Sequence, residues 1–224
     1  MNLADNKNIN LGISEKKDGP MKFSSENRAL FFKKHGLNNK IIVSAGLVHG
    51  KKVAIVDSLN ESQVIPDCDA LITDSNKYLL TITVADCLPL YFYDKNKKVV
   101  ALAHAGWRGV VSEITREVIN IFTEHYRSDL TDIEVFIGPH IKDCHFEVKD
   151  DVASQFKIGE AIIRDKKTYI NLSQTVGDQL IKLGILSGNI SVSEECTYCL
   201  ENKYFSYRRD NPKELATMIA YISL

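Results

Sequence analysis

Cys87 and His104 lie near the two ends of residues 83–110, a stretch in which two apolar runs flank the polar segment Asp94-Lys95-Asn96-Lys97. This pattern predicts two antiparallel strands joined by a turn. If the strands pair about Lys95-Asn96, Cys87 directly faces His104, and opposed residues place their Cβ atoms roughly 4.5–5.5 Å apart on one face. A thiol and an imidazole this close could share a proton or a metal ion. Pro89 cannot donate to the ladder, so the first strand could bulge or start there. Lys-Asn is not the favoured Asn-Gly loop, which leaves a longer turn open.

His49 is the third residue that could take part in this chemistry, because it ends a predicted strand and precedes Gly50, at a loop edge where functional residues collect. His49, Cys87 and His104 together would supply nitrogen and sulfur ligands that suit zinc, with copper as the alternative. A metal-free arrangement is equally open, in which Cys87 is a nucleophile and His104 its base. Cys87 could also be an ordinary buried thiol.

Arg108 lies four residues after His104, at the start of a predicted amphipathic helix. The apolar residues of that helix recur at steps of three and four: Val111, Ile114, Val118 and Ile121. The free N–H groups of a helix start attract anions. Arg108 adds planar donors for a phosphate or a carboxylate, so we predict that it binds substrate. A surface salt bridge is the alternative role.

Two other motifs contain metal-ligand residues. Residues 138–148 include His140, Cys144 and His145, which we interpret as a turn followed by a packed strand. Residues 196–199 read Cys-Thr-Tyr-Cys, which resembles half of a zinc knuckle. The sequence shows no second Cys or His pair at a suitable distance from this motif. We therefore predict that it does not bind zinc.

Composition favours a small-molecule partner. The chain of 224 residues has 28 basic and 29 acidic residues, interspersed, for a net charge of −1. It shows no basic patch for nucleic acid and no surface charge for a membrane. Residues 1–30 lack a secretory pattern, and five cysteines are typical of free thiols in a reducing compartment. We predict a cytoplasmic protein and expect a monomer.

The apolar patterns predict strands alternating irregularly with helices. Strands are expected at 9–13, 41–48, 52–56, 78–84, 133–137, 190–193 and 204–207, and helices at 26–35, 150–158 and 173–184. No repeat or linker divides the chain. The prediction is a single α+β domain over residues 1–224, with mixed and antiparallel β-sheets flanked by helices.

The motifs "ADCLPL" at 85–90 and "AHAGWRG" at 103–109 resemble the YfiH-like, laccase-domain family, once labelled multicopper polyphenol oxidase. Further matches follow in the family's order along nearly the whole chain. They are "NLG" at 10–12, "ENR" at 26–28, "VHG" at 48–50, "DALIT" at 69–73, "GPHI" and "CHFEV" within 138–148, "CTYC" at 196–199 and "FSYRRD" at 205–210.

The resemblance implies a zinc site formed by His49, Cys87 and His104. It also implies phosphorolysis of purine nucleosides (adenosine, inosine, guanosine and methylthioadenosine) to the free base and ribose 1-phosphate, with deamination of adenosine. The partners would be a nucleoside and phosphate. Other activities linked to such proteins are copper-dependent phenol oxidation and editing of peptidoglycan precursors, and toxin deamidases with a Cys-His dyad resemble the fold. These leave a Cys-His amide hydrolase as an alternative.

The chain departs from the family pattern at two places. Leu47 stands where the family usually has Gln before "VHG", and Lys213-Glu214-Leu215 replaces a Gly-Arg pair after "SYRRD". The lost arginine would weaken anion binding or change the substrate.

Overall fold

Two fully buried strands form the centre of the fold, in a computed structural model that describes residues 8–23, 25–157 and 159–224. They are β7, Leu88–Asp94, and β8, Val99–Ala105, and they pair antiparallel. Successive side chains of a strand point to opposite faces. Both faces of this pair are covered, which explains why both strands are almost continuously apolar.

The other strands of the described residues surround this pair. They are β1 Asn10–Ile13, β2 Ile41–Gly46, β3 Val53–Ile55, β4 Gln63–Pro66, β5 Ala70–Thr73, β6 Tyr78–Val84, β9 Ile133–Ile137, β10 Glu147–Val148, β11 Ala161–Arg164, β12 Lys167–Ile170, β13 Ile190–Val192 and β14 Met218–Ser223. They form a mixed sheet in the order β1-β14-β6-β2-β4, a second mixed sheet in the order β13-β9-β7-β8-β5-β3, and a small antiparallel sheet in the order β10-β12-β11.

The helices of the described residues are α1 Glu26–Lys34, α2 Trp107–Val111, α3 Ile114–Glu124, α4 Asp150–Ala153, α5 Leu172–Lys182 and α6 Tyr207–Asp210. Single 3-10 turns lie at Lys16–Asp18, Leu130–Asp132 and Ser187–Asn189. The amphipathic helix predicted from the spacing of Val111, Ile114, Val118 and Ile121 is divided, because Glu113 adopts a left-handed φ of 58° between α2 and α3. The helix predicted at 150–158 ends at Ala153 in the structure, and residue 158 lies outside the described part of the chain.

The two large sheets pack face to face. Tyr91 and Leu102 of the central pair meet Leu80 and Ile222 of the neighbouring sheet in one core. On the opposite face, Leu90, Phe92, Ala101 and Ala103 pack under α3 and α5, which contribute Val118, Phe122, Val176 and Leu180. The central hairpin therefore has little freedom to move. Any residue at its end is held in place by two apolar layers.

The predicted α+β class is confirmed: the structure has mixed sheets flanked by helices. The strand predicted at 204–207 was wrong. The side chain of Ser206 accepts the N–H of Arg209 and starts helix α6, because a serine at this position satisfies a free donor of the first turn. No helix in the described residues has the length and apolar character to cross a membrane. The extent of the domain, 1–224, stays a prediction.

Candidate functional site

His49, Cys87 and His104 come together at one end of the central hairpin. One ligand atom from each lies within 4.8 Å of the other two. The imidazole rings of His49 and His104 are 4.9 Å apart, centre to centre, and nearly perpendicular. His49 has a left-handed φ of 59° in the loop after β2, Cys87 directly precedes β7, and His104 lies within β8. The structure thus brings together the three residues that the sequence predicted.

The predicted register of the hairpin was wrong by two residues. His104 faces Pro89 rather than Cys87, and Asp94 faces Val99. The turn is longer than expected because Asp94 Oδ1 accepts the N–H groups of Asn96 and Lys97, both at 2.8 Å. A shift of two residues preserves the face on which each side chain lies. Cys87 and His104 therefore lie close together despite the change of register.

Asp69 organises this cluster and was not identified from the sequence. Asp69 directly precedes β5, and its fully buried carboxylate accepts the N–H groups of Val48, His49 and Gly50 at 3.2, 2.9 and 2.8 Å. The same carboxylate lies 3.1 Å from Nδ1 of His104. A carboxylate can only accept, so Nδ1 carries the proton and Nε2 is the ring nitrogen left to bind an ion.

The charges of the cluster favour a reactive thiolate. Burial raises the pKa of the Cys87 thiol, but the positive charge and hydrogen bond of His104, with a hydrogen bond from His49, outweigh it and lower the pKa to about 7. Burial lowers the pKa of His104, yet the Cys87 thiolate and Asp69 raise it to about 9. The thiolate is the form of cysteine that binds metals and attacks electrophiles.

Two arginines line a cleft beside the cluster. The cleft has a volume of about 240 Å³, and its walls include His49, Cys87, Trp107, Arg108 and Arg208. The exposed Arg108 stacks on the Trp107 ring, with its guanidinium carbon 4.3 Å from the ring centre. Nη1 of Arg208 donates to the carbonyl of Glu147 at 2.7 Å. The sequence pointed to Arg108, and Arg208 belongs to the motif "FSYRRD" at 205–210.

A second cleft adjoins the first one at Cys87, with a volume of about 470 Å³. Its walls include Leu47, Leu215 and Tyr207. Leu47 and Leu215 are the two leucines at which this chain departs from the motifs of the resembling family. Leu47 and Leu215 thus contribute apolar side chains to the wall of a cleft at the candidate site.

A separate cluster joins the two motifs that were not predicted to bind a metal. Cys144, His145, Cys196 and Cys199 place one ligand atom each within 4.8 Å of the others. Cys144 and His145 thus provide the second pair of ligand residues for the Cys-Thr-Tyr-Cys motif, although they are distant from it in sequence. His140 is not part of this cluster, and its Nδ1 donates to the carbonyl of Gly138 at 2.8 Å.

Comparison with known proteins agrees with this architecture. Residues 4–224 match the family model described as multi-copper polyphenol oxidoreductase laccase. The chain belongs to this family. Its relatives include a purine nucleoside phosphorylase of Clostridium acetobutylicum, 34% identical over 75% of this chain and 72% of the relative. The purine nucleoside phosphorylase YlmD of Geobacillus stearothermophilus is 34% identical over 78% of this chain and 69% of its own length.

Solved structures of two other bacterial proteins share the fold. YfiH of Bacillus licheniformis has a TM-score of 0.90 at 25% identity, covering 97% of this chain and 93% of its own. YlmD of Geobacillus stearothermophilus has a TM-score of 0.89 at 27% identity, covering 96% and 91%. The predicted family and fold are confirmed.

Proposed function

We propose that the protein is a zinc-dependent purine nucleoside phosphorylase. The observation that carries the proposal is the cluster of His49, Cys87 and His104 beside a cleft that contains Arg108. Relatives named purine nucleoside phosphorylase support the reaction class. The substrates would be adenosine, inosine, guanosine or methylthioadenosine together with phosphate.

The cluster fits a catalytic zinc ion. Two imidazole nitrogens and one thiolate make a three-ligand set that leaves a fourth position open, as in other catalytic zinc sites. The Asp69 carboxylate holds His104 in the tautomer that presents Nε2, an arrangement common behind zinc-bound histidines. A bound zinc ion would supply a Lewis acid and lower the pKa of a water molecule toward ~7.

Phosphorolysis also requires a group that binds phosphate, and Arg108 in the cleft can supply it. The planar guanidinium of Arg108 can bind two phosphate oxygens at once, and stacking on Trp107 limits its rotation. In the reaction, an oxygen of phosphate forms a bond to C1′ of the ribose while the bond from C1′ to the purine nitrogen breaks. The electron pair leaves with the base, which takes up a proton. Arg108 would hold the attacking phosphate in place for this exchange.

We further propose that adenosine is deaminated at the same cluster. Water would add to C6 of the purine and ammonia would leave, giving inosine. The resemblance suggests this side activity, and both reactions would need the same three residues, His49, Cys87 and His104. The protein would act in the cytoplasm on small molecules, as a monomer.

The test is an assay of purified, zinc-loaded protein with adenosine and phosphate. We expect adenine and ribose 1-phosphate to form only when phosphate is present, and inosine to form with or without it. Cys87→Ser should remove the zinc of this cluster and both activities. Cys68→Ser is the matched control, because Cys68 is a buried thiol that donates to the carbonyl of Ile65 and belongs to neither ligand cluster. Absence of all three products from the zinc-loaded protein would overturn the proposal.

A metal-free Cys-His amide hydrolase is the second candidate, and the pKa of about 7 at Cys87 favours it. In that case hydrolysis of a peptidoglycan precursor would survive chelation and be lost after thiol alkylation. Copper-dependent phenol oxidation, the reaction in the family's description, is a third candidate, since two imidazoles and a thiolate also bind copper. Metal analysis of the protein, combined with a phenol-oxidation assay, distinguishes it from the zinc enzyme.

A further inference from the structure

We propose that Cys144, His145, Cys196 and Cys199 bind a second zinc ion in a closed, structural site. These residues lie outside the His49 cluster and come from two distant segments of the chain. One segment follows β9 and the other follows β13, and the parallel pairing of these strands brings the segments side by side. A backbone bridge between His140 and Cys196 extends this pairing to the edge of the cluster.

The spacing of the sulfur atoms matches tetrahedral coordination. Sγ of Cys144 lies 3.7 Å from Sγ of Cys196 and 3.7 Å from Sγ of Cys199. Sulfur ligands at about 2.3 Å from a tetrahedral ion lie about 3.8 Å from each other. A disulfide would require sulfur atoms about 2.05 Å apart. The cluster therefore has the dimensions of a zinc site and not those of a disulfide.

The fourth ligand completes a recognised donor set. Nδ1 of His145 lies 3.2 Å from Sγ of Cys144 and 3.3 Å from Sγ of Cys199. Three cysteines and one histidine are a common set at structural zinc sites, and they leave no position for a substrate. A closed set of this kind predicts a role in stability and in positioning other residues, not in catalysis.

Neighbouring groups hold the ligands in position. The His145 ring stacks on Tyr198 at 3.9 Å with an angle of 15° between the planes. The backbone N–H of Lys142 points to Sγ of Cys196 at 3.5 Å. Nη1 of Arg209 donates to the carbonyls of Thr197 and Tyr198 at 2.9 and 2.8 Å, and so fixes the turn between Cys196 and Cys199. Such contacts to ligands and to their backbone are typical of metal sites.

The experiment measures zinc in the full-length protein. We expect two zinc ions per chain in the wild type, one in Cys87→Ser, one in Cys199→Ser and none in the double variant. Zinc X-ray absorption of Cys87→Ser should show three sulfur ligands and one nitrogen ligand. Loss of activity in Cys87→Ser tests the proposed function, whereas the zinc count of that variant tests this inference, so the two can fail separately.

Thiol labelling tests the second zinc site without the Cys199→Ser variant, so the test does not require that variant to fold. In Cys87→Ser, the exposed Cys144 and Cys199 should react slowly with iodoacetamide, and their rates should rise about tenfold or more after chelation. Cys68 serves as the internal reference because it belongs to neither cluster. Equal rates before and after chelation, no zinc in Cys87→Ser, or a disulfide among the three cysteines under reducing purification would each overturn the inference.

Discussion

The hydroxyl of Thr197 donates to Oδ1 of Asp86 at 2.6 Å. Asp86 directly precedes Cys87 in the first cluster, and Thr197 directly follows Cys196 in the second. The buried Asp86 carboxylate also accepts the hydroxyl of Ser206 at 3.0 Å and the N–H of Arg208 at 2.7 Å. One side-chain contact therefore connects the proposed structural zinc site to the proposed catalytic one.

Thr197→Val should weaken both sites, because it removes the hydroxyl and keeps the shape of the side chain. A buried acceptor that loses a partner costs about 1–3 kcal/mol, so the free energy of unfolding should fall by that amount. The affinity of the His49 cluster for zinc should fall as well. Urea denaturation and zinc competition measure the two effects. Thr197→Ser retains the hydroxyl and should stay close to the wild type; equal behaviour of the two variants would contradict the connection.

Asp69→Asn should reduce zinc affinity without removing a ligand. The amide retains the size of the carboxylate but loses the charge that stabilises the Nδ1–H of His104. Loss of such a partner typically lowers metal affinity about 10–100-fold. Competition with a chromophoric chelator measures it. Asp67→Asn is the matched control, because Asp67 is exposed and its left-handed φ of 55° suits asparagine. Equal affinities in the two variants would refute the role of Asp69.

Gly106→Ala should weaken zinc binding by His49, Cys87 and His104, because the added methyl group would press against two of these side chains. A Cβ at this position would lie 3.1 Å from Sγ of Cys87 and 3.2 Å from Cδ2 of His49. The ligands must then move by a few tenths of an ångström, so we expect at least about tenfold weaker zinc binding, consistent with the tight geometric demands of metal sites.

Gly177→Ala is the control for Gly106→Ala. Gly177 lies inside helix α5, where an added Cβ would meet no atom within 4 Å. It should leave zinc binding unchanged and raise the free energy of unfolding by up to ~1 kcal/mol, since alanine favours helix more than glycine does. Unchanged zinc affinity in Gly106→Ala would contradict the prediction, because it would show that the ligands can accommodate the added Cβ.

Local pattern was enough to predict much of the fold. Strands Tyr78–Val84 and Ile133–Ile137 have the bounds that the sequence predicted, because both are short apolar runs that end at loop residues. The proximity of His49, Cys87 and His104 was also predicted, from the hairpin and from the family motifs. The hairpin register was missed because Asp94 accepts two backbone N–H groups and lengthens the turn, which alternation of apolar residues does not reveal.

The second cluster and Asp69 could not be predicted from local pattern. Cys144 and Cys196 are separated by 52 positions, and only the parallel pairing of β9 with β13 makes them neighbours. Asp69 lies at the edge of an apolar segment, where an acidic residue is ordinarily exposed. Its role depends on the fold, which places the Asp69 carboxylate against the loop that carries His49.

Arg108→Lys should impair phosphate use more than nucleoside use. Lysine keeps the charge but loses the planar donor pair and the stacking on Trp107. Loss of one hydrogen bond to a charged group predicts a KM for phosphate about 10–100-fold higher, with little change in the KM for adenosine. Arg116→Lys is the control, since Arg116 forms an exposed ion pair with Glu113. Equal effects on both KM values would assign Arg108 a general structural role.

His140 should make the protein sensitive to acid. Burial, together with the charge of Lys142, lowers the pKa of His140 to about 3, although its hydrogen bond to the carbonyl of Gly138 opposes the shift. Its Nε2 is buried without a hydrogen-bond partner among the described residues, so protonation there would create an unpaired charge. The unfolded chain takes up this proton near the ordinary histidine pKa of about 6.5. Stability is therefore lost as the pH falls below that value.

His140→Asn isolates this effect, because the asparagine amide can still donate to the carbonyl of Gly138 but does not titrate. Between about pH 7.5 and about pH 5.5 the wild type should lose about 1.4 kcal/mol more unfolding free energy than the variant. Urea denaturation of both proteins at each pH gives the difference, and losses common to both, such as release of zinc, cancel. A difference that stays constant with pH would mean that His140 binds its proton equally well in the folded and unfolded protein, which would contradict the prediction.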